Sequence, residues 1–132
     1  MSAQTFAGGV LDASVVLAAL LDEPGLEAAS IWFADACISA VNFAEVVSRL
    51  IDLGHGHEDV MQTLGEFQLD VRSFTQEQAS LAAALRVSTR QYGLSLGDRA
   101  CLALASSLDR SAITADRMWA NLDVGIEVKL IR

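Results

Sequence analysis

Cysteine is scarce in this 132-residue chain: Cys37 and Cys101 are the only two. They sit in apolar surroundings at a spacing that no metal or redox motif uses, which excludes a disulfide framework and fits reduced thiols buried in a cytoplasmic protein. Basic residues are also few, nine Lys and Arg against 17 Asp and Glu, for a formal net charge of −8. A protein that simply tracks a nucleic-acid backbone has the opposite balance. Long apolar runs are missing, since stretches such as residues 15–21 fall well short of the roughly 18 needed to cross a bilayer. No basic start followed by an apolar stretch and a small-residue cleavage site precedes Asp12, so no secretory signal is expected. Internal repeats, linkers and low-complexity tracts are absent. So are the Gly-x-Ser-x-Gly elbow, the Walker A loop and the Gly-x-Gly-x-x-Gly fingerprint, which removes support from serine hydrolase, P-loop and dinucleotide chemistry.

Apolar residues make up 52% of the chain and charged residues 20%, enough apolar surface to offset chain entropy and exclude intrinsic disorder. The length suits one compact domain, residues 1–132, that needs neither disulfide nor structural metal to hold its core. Short apolar runs at residues 9–11, 36–38 and 112–114 predict strands, residues 69–74 contain a further short one, and residues 126–131 form a last strand of alternating character. Helical patterns between them predict helices over residues 15–21, 26–33, 41–53, 58–67, 75–92 and 95–108, with a short helical turn after Asp116. Pro24-Gly25, Gly54 and Gly93 act as stops, and Thr75 with Gln78 and Ser95 with Asp98 resemble capping boxes. Short apolar strands separated by helices imply an α/β fold, a three-layer α/β/α sandwich with a mainly parallel central sheet.

In such sheets ligands bind beyond the carboxyl ends of the strands, so acids there carry most weight. Asp12 directly follows Val10-Leu11, and Asp116 follows Ile113-Thr114 through a short turn. Either alone is explained as a helix cap. Two at neighbouring strand ends bring like charges together, which is costly unless a cation lies between them. Glu45 lies on the helix after the second strand, with Asn42 three before it and Arg49 four after it, on the stripe opposite the apolar residues Phe43, Val46, Val47 and Leu50. A solvated Glu45–Arg49 pair is the ordinary reading there. Asp98 fits the first turn of its helix, where the helix dipole favours an acid. Spacing alone does not establish that these four acids converge.

Four segments in order, Val10-Leu11-Asp12-Ala13-Ser14-Val15-Val16, Ile38-Ser39-Ala40-Val41-Asn42-Phe43-Ala44-Glu45-Val46, Leu94-Ser95-Leu96-Gly97-Asp98-Arg99-Ala100-Cys101-Leu102-Ala103 and Ile113-Thr114-Ala115-Asp116, resemble the PIN-domain ribonucleases. Within them the chain resembles the VapC-like toxins of bacterial type II toxin–antitoxin pairs, over nearly its whole length. The resemblance implies that Asp12, Glu45, Asp98 and Asp116 form an acidic catalytic pocket, with Asp12, Asp98 and Asp116 binding Mg²⁺ or Mn²⁺. Ser14 and Thr114 match positions where the family often has a supporting hydroxyl. It implies an endoribonuclease that cuts RNA, tRNA and rRNA being the candidates, by a metal-activated water to leave 5′-phosphate and 3′-hydroxyl ends. It further implies an antitoxin partner and a homodimer, for which the helices bearing Trp32 and Phe43 offer apolar surface. Arg99 and Arg117, each beside an acid, are candidates to hold flanking phosphates, with ordinary surface arginine as the alternative.

Asp123 matches no motif position and reads as a loop aspartate. His55-Gly56-His57 invites a metal reading, but zinc needs three or four ligands and no cysteine is near, so an exposed turn is expected. Trp32, Trp119, Phe33, Phe43 and Phe67 read as core or interface residues, because no basic stripe interleaves with them. Two other functions stay open: a catalytically inactive PIN-fold interaction module whose acids are structural caps, and aspartyl phosphoryl transfer through Asp12. The second lacks the further acid two residues on that a haloacid-dehalogenase-type site would show.

Overall fold

The computed structural model describes residues 8–21 and 33–132. Five strands, β1 (Val10–Leu11), β2 (Cys37–Ser39), β3 (Asp70–Arg72), β4 (Ala112–Thr114) and β5 (Val128–Leu130), form one sheet in the order β3-β2-β1-β4-β5. Every pairing is parallel, so the mainly parallel sheet expected from the sequence is wholly so. Five helices accompany it among the described residues: α1 (Ala13–Leu20), α2 (Ala40–Asp52), α3 (His57–Glu66), α4 (Gln76–Thr89) and α5 (Leu96–Leu108). The helix expected over residues 26–33 falls outside the described residues, except for Phe33, which lies in a turn.

The layers follow from strand alternation, because successive side chains point to opposite faces. Leu11, Ile38 and Ile113 are aligned in register and join Val15, Val46, Leu50, Val60 and Leu64 in a core beneath α1, α2 and α3. Their neighbours Val10, Cys37 and Ala112 face the other way, into a second core with Leu85, Cys101, Leu102 and Trp119 beneath α4 and α5. A sheet covered on both faces needs apolar residues at consecutive positions, which is how β1, β2 and β4 read. Both cysteines are free and buried, and burial raises both thiols above their ordinary range. Gly54 ends α2 at φ 101°, a backbone state that L side chains avoid, and the amides of Gly54 and His55 turn back to Ile51 O and Leu50 O.

Two local expectations need correction. Asn42 is not on the solvent stripe of α2; it is buried, in line with Val46 and Leu50. Thr75 does cap α4 by accepting from the amide of Gln78, but Gln78 makes no return bond, and its buried Oε1 has no partner.

The chain runs β1 to β2 to β3 outward and then returns to lay β4 on the other side of β1. That reversal is a topological switch point, the crevice where open α/β sheets bind ligands at the strands' carboxyl ends.

Candidate active site

Asp12 leaves β1 at the switch point and serves as the N-cap of α1, its Oδ1 accepting from the amide of Val15. Two hydroxyls complete its shell. Ser14 Oγ donates to Oδ1 at 2.5 Å and Thr114 Oγ1, from the neighbouring strand β4, donates to Oδ2 at 2.6 Å. The same hydroxyls accept from the next turn, Ser14 Oγ from the amide of Ala115 at 2.9 Å and Thr114 Oγ1 from the amide of Asp116 at 3.0 Å. Ser14 and Thr114 thus tie Asp12 to the loop that carries Asp116. Asp12 is 4% exposed, and burial raises its pKa from 3.8 to about 6 despite the hydrogen bonds from Ser14, Thr114 and Val15, with the charge of Asp98 adding to the rise.

Asp98 sits in the first turn of α5 in a complete capping box: Ser95 Oγ accepts from its amide, and its Oδ2 accepts from the amide of Ser95 at 2.9 Å. Glu45, in α2, is bonded not to Arg49 but to Asn42, whose Nδ2 donates to Oε1 at 2.9 Å. Desolvation raises the Glu45 carboxyl above its ordinary range, the Asn42 bond opposes this, and the charge of Asp98 adds to the rise. Burial raises the Cys101 thiol, and the charges of Asp12 and Asp98, then Cys37 and last Glu45, add to the rise. Asp116 stands at the exposed rim, where its Oδ1 accepts from the amide of Met118 and opens a 3-10 turn, Arg117–Asn121. Trp119 of that turn is fully buried and pins it to the sheet.

The donor set is all oxygen, carboxylates with two hydroxyls, which suits a hard divalent cation rather than zinc. Among the described residues no three His, Cys, Asp or Glu side chains are gathered closely enough to hold a metal. Asp98 and Asp116 each accept a capping amide, and a carboxylate that accepts one amide keeps acceptor positions free. The residues fit a divalent cation in kind, once Asp98 and Asp116 turn from their caps.

Arg99 is a correction. It is 7% exposed and its Nη1 donates to Ala82 O on α4 at 2.9 Å, so it packs α5 against α4 and faces no substrate. Arg117 is exposed beside Asp116, and Asp123 is an exposed loop residue. His55 and His57 are exposed, in a turn and at the start of α3. Phe33 and Phe67 pack in a tilted pair with centroids 5.7 Å apart, and Trp32 lies outside the described residues. Two residues of the site were not singled out by sequence reasoning: Asn42, and Gly97, whose carbonyl accepts a second bond from Asn42 Nδ2 at 2.9 Å. The signal for the first was a polar residue four before Val46 on the buried stripe. Two recesses elsewhere, of about 130 Å³ beside Leu20, Leu50 and Val60 and about 650 Å³ beside Phe33, Phe67 and Arg110, are not lined by these acids.

No curated protein sequence matches this chain significantly. Solved structures do. A toxin–antitoxin complex from Klebsiella pneumoniae is 19% identical with a TM-score of 0.72, over 94% of this chain and 98% of that one. DNA-bound VapBC from Salmonella typhimurium is 16% identical with a TM-score of 0.73, over 96% and 99%. VapBC-5 from Mycobacterium tuberculosis is 26% identical with a TM-score of 0.61, over 96% and 98%. A family model for the PIN domain matches residues 9–125, and with that match and the α/β architecture around the switch point the chain belongs to the PIN domain family.

Proposed function

We propose that the protein, residues 1–132 acting as a single domain, is a metal-dependent endoribonuclease and the toxin of a toxin–antitoxin pair. The observation that supports it is a PIN-domain sheet in which Thr114 links Asp12 to the backbone of Asp116 at the adjacent strand end, with the Glu45 carboxylate against Gly97, next to Asp98. Asp12, Asp98 and Asp116 would hold Mg²⁺ or Mn²⁺. Such a cation, when bound, would supply an activated water and a positive charge against the negative charge that develops on the phosphoryl oxygens. Asp12 is the fixed anchor, held by Ser14 and Thr114 on adjacent elements. Glu45, a carboxylate that desolvation makes a stronger base than usual, would take the proton of the attacking water. Water adds to phosphorus, the bond to the 3′ oxygen breaks, and the ends left are 5′-phosphate and 3′-hydroxyl. Arg117 is exposed beside Asp116 and would hold a flanking phosphate.

Several structural neighbours were solved as toxin–antitoxin complexes, which supports an antitoxin partner for this chain. A homodimer and a cytoplasmic location belong to the same reading; no helix among the described residues is long and apolar enough to cross a membrane. Of the dimer surface expected from the sequence, Phe43 is half-buried against the core and Trp32 lies outside the described residues.

A second reading, a non-catalytic interaction module, draws on the capping bonds of Asp98 and Asp116. Aspartyl phosphoryl transfer is disfavoured, because Ser14 stands where such a site would carry its second acid. Incubation with total RNA tests the choice. The nuclease reading expects cleavage in Mg²⁺ that stops with EDTA and with Asp12→Asn, whereas the module reading expects none under any condition.

A further inference from the structure

The buried stripe of α2 is Asn42, Val46 and Leu50, at four-residue spacing, and its first member is polar. Burying an amide is costly unless its polar atoms are bonded. Asn42 meets that requirement at one end only: Nδ2 donates to Glu45 Oε1 and to Gly97 O, while Oδ1 is buried without a partner. A residue selected only to pack α2 on α5 would carry no such orphan, since an apolar side chain of similar volume fills the space at less cost. The other helix carries a matching concession. Gly97 lies in the first turn of α5, where alanine is the better helix former. A Cβ there would stand 2.2 Å from Glu45 Oε2 and 2.4 Å from its carboxyl carbon. Two local costs on two helices meet at one carboxylate, the pattern expected where function overrides local preference.

We propose that Asn42 is a positioning residue that seats Glu45 over the backbone of Gly97, beside Asp98, and that Gly97 is glycine to leave room for that seat. The two acceptors around Nδ2 fix the amide's orientation, because the flipped amide would present Oδ1 to a carboxylate and a carbonyl. Without that hold, Glu45 has an exposed competitor on its own helix: Arg49, one turn on, at the spacing where acid and base pair. Asn42 therefore decides whether the exposed carboxylate of Glu45 lies over Gly97 or turns toward Arg49. Its bearing on catalysis rests on the nuclease reading above; its effect on the position of Glu45 does not.

The test is to determine crystal structures of the wild type, Asn42→Ala and Gly97→Ala, together with Mg²⁺-dependent RNA cleavage by each and by Asn42→Ala in a Glu45→Ala background. In both single variants Glu45 leaves Gly97, kcat falls by about tenfold or more with KM little changed, and Asn42→Ala adds no further loss once Glu45 is gone. Gly97→Ala reaches the same end without touching the buried amide, so the test stands even if Asn42→Ala does not fold. Glu45 remaining over Gly97, cleavage unaffected by its displacement, or an equal loss in both backgrounds would each overturn the proposal. If the wild type cuts no RNA, the nuclease reading fails. The crystal structures then decide alone, a displaced Glu45 supporting the positioning role and an undisplaced one refuting it.

Discussion

Asp12 holds a charge where burial disfavours it. Its carboxyl titrates at about 6 in the folded chain against an ordinary 3.8, so between those values the folded state binds the proton more tightly than the unfolded state does. Folding stability therefore falls as pH rises from about 4 to 6 and stays lower above that. The difference corresponds to about 3 kcal/mol. Asp12→Asn is expected to stabilise the metal-free protein at pH 7 by up to about 3 kcal/mol and to leave it nearly unchanged at pH 4, as urea denaturation in EDTA would measure. Destabilisation at pH 7 would contradict this account of Asp12. A cation that binds the ionised carboxylate offsets the cost, so Mn²⁺ should raise the melting temperature at pH 7.5 more than at pH 5.5, and Asp116→Asn should lessen the rise. Arg99 presents the reverse case. Its inward guanidinium predicts that Arg99→Ala costs about 2 kcal/mol in stability, by chemical denaturation, and leaves RNA affinity unchanged.

At the scale of elements, caps and buried anchors hold the acids at the strand ends. Trp119 fixes the 3-10 turn behind Asp116, and Trp119→Ala is expected to cost about 3–5 kcal/mol, read from the denaturant midpoint. The strands and helices were legible because most of them are bounded by a stop or a cap: Asp12 after β1, Ser39 at the end of β2, Thr75 before α4, Ser95 before α5. What was not legible depends on rotation about a helix axis. Arg99 neighbours Asp98 in sequence, but successive helical residues point about 100° apart, so one faces the site and the other faces α4. Asn42 was grouped with Glu45 by its three-residue spacing, yet the same geometry also puts it in line with Val46, and burial on α5 decides between the two. The partner of Glu45 was likewise hidden, because a Glu-to-Arg spacing is visible in the sequence while a bond to Asn42 over the backbone of another helix is not.

For the whole molecule, a net charge of −8 must be reconciled with a polyanionic substrate. Carboxylates concentrated at the switch point resolve the conflict if a divalent cation reverses the sign locally, leaving the rest of the acidic surface to keep non-specific RNA away. On the toxin reading, expression alone harms a bacterial host while Asp12→Asn is tolerated at equal soluble level, and growth curves of the two strains check this. The central claim, that the acids at the switch point direct water to phosphorus, has a chemical signature in the products. Hydrolysis by water leaves 5′-phosphate and 3′-hydroxyl ends and needs no neighbouring 2′-hydroxyl, whereas attack by the 2′-hydroxyl leaves a 2′,3′-cyclic phosphate and proceeds without metal. The most direct measurement is end-group analysis of RNA cut by the wild type and by Asp98→Asn, with and without EDTA. The account predicts 5′-phosphate and 3′-hydroxyl ends from the wild type in Mg²⁺ and no cutting in EDTA or by the variant; cyclic-phosphate ends, or cutting that survives both, would contradict it.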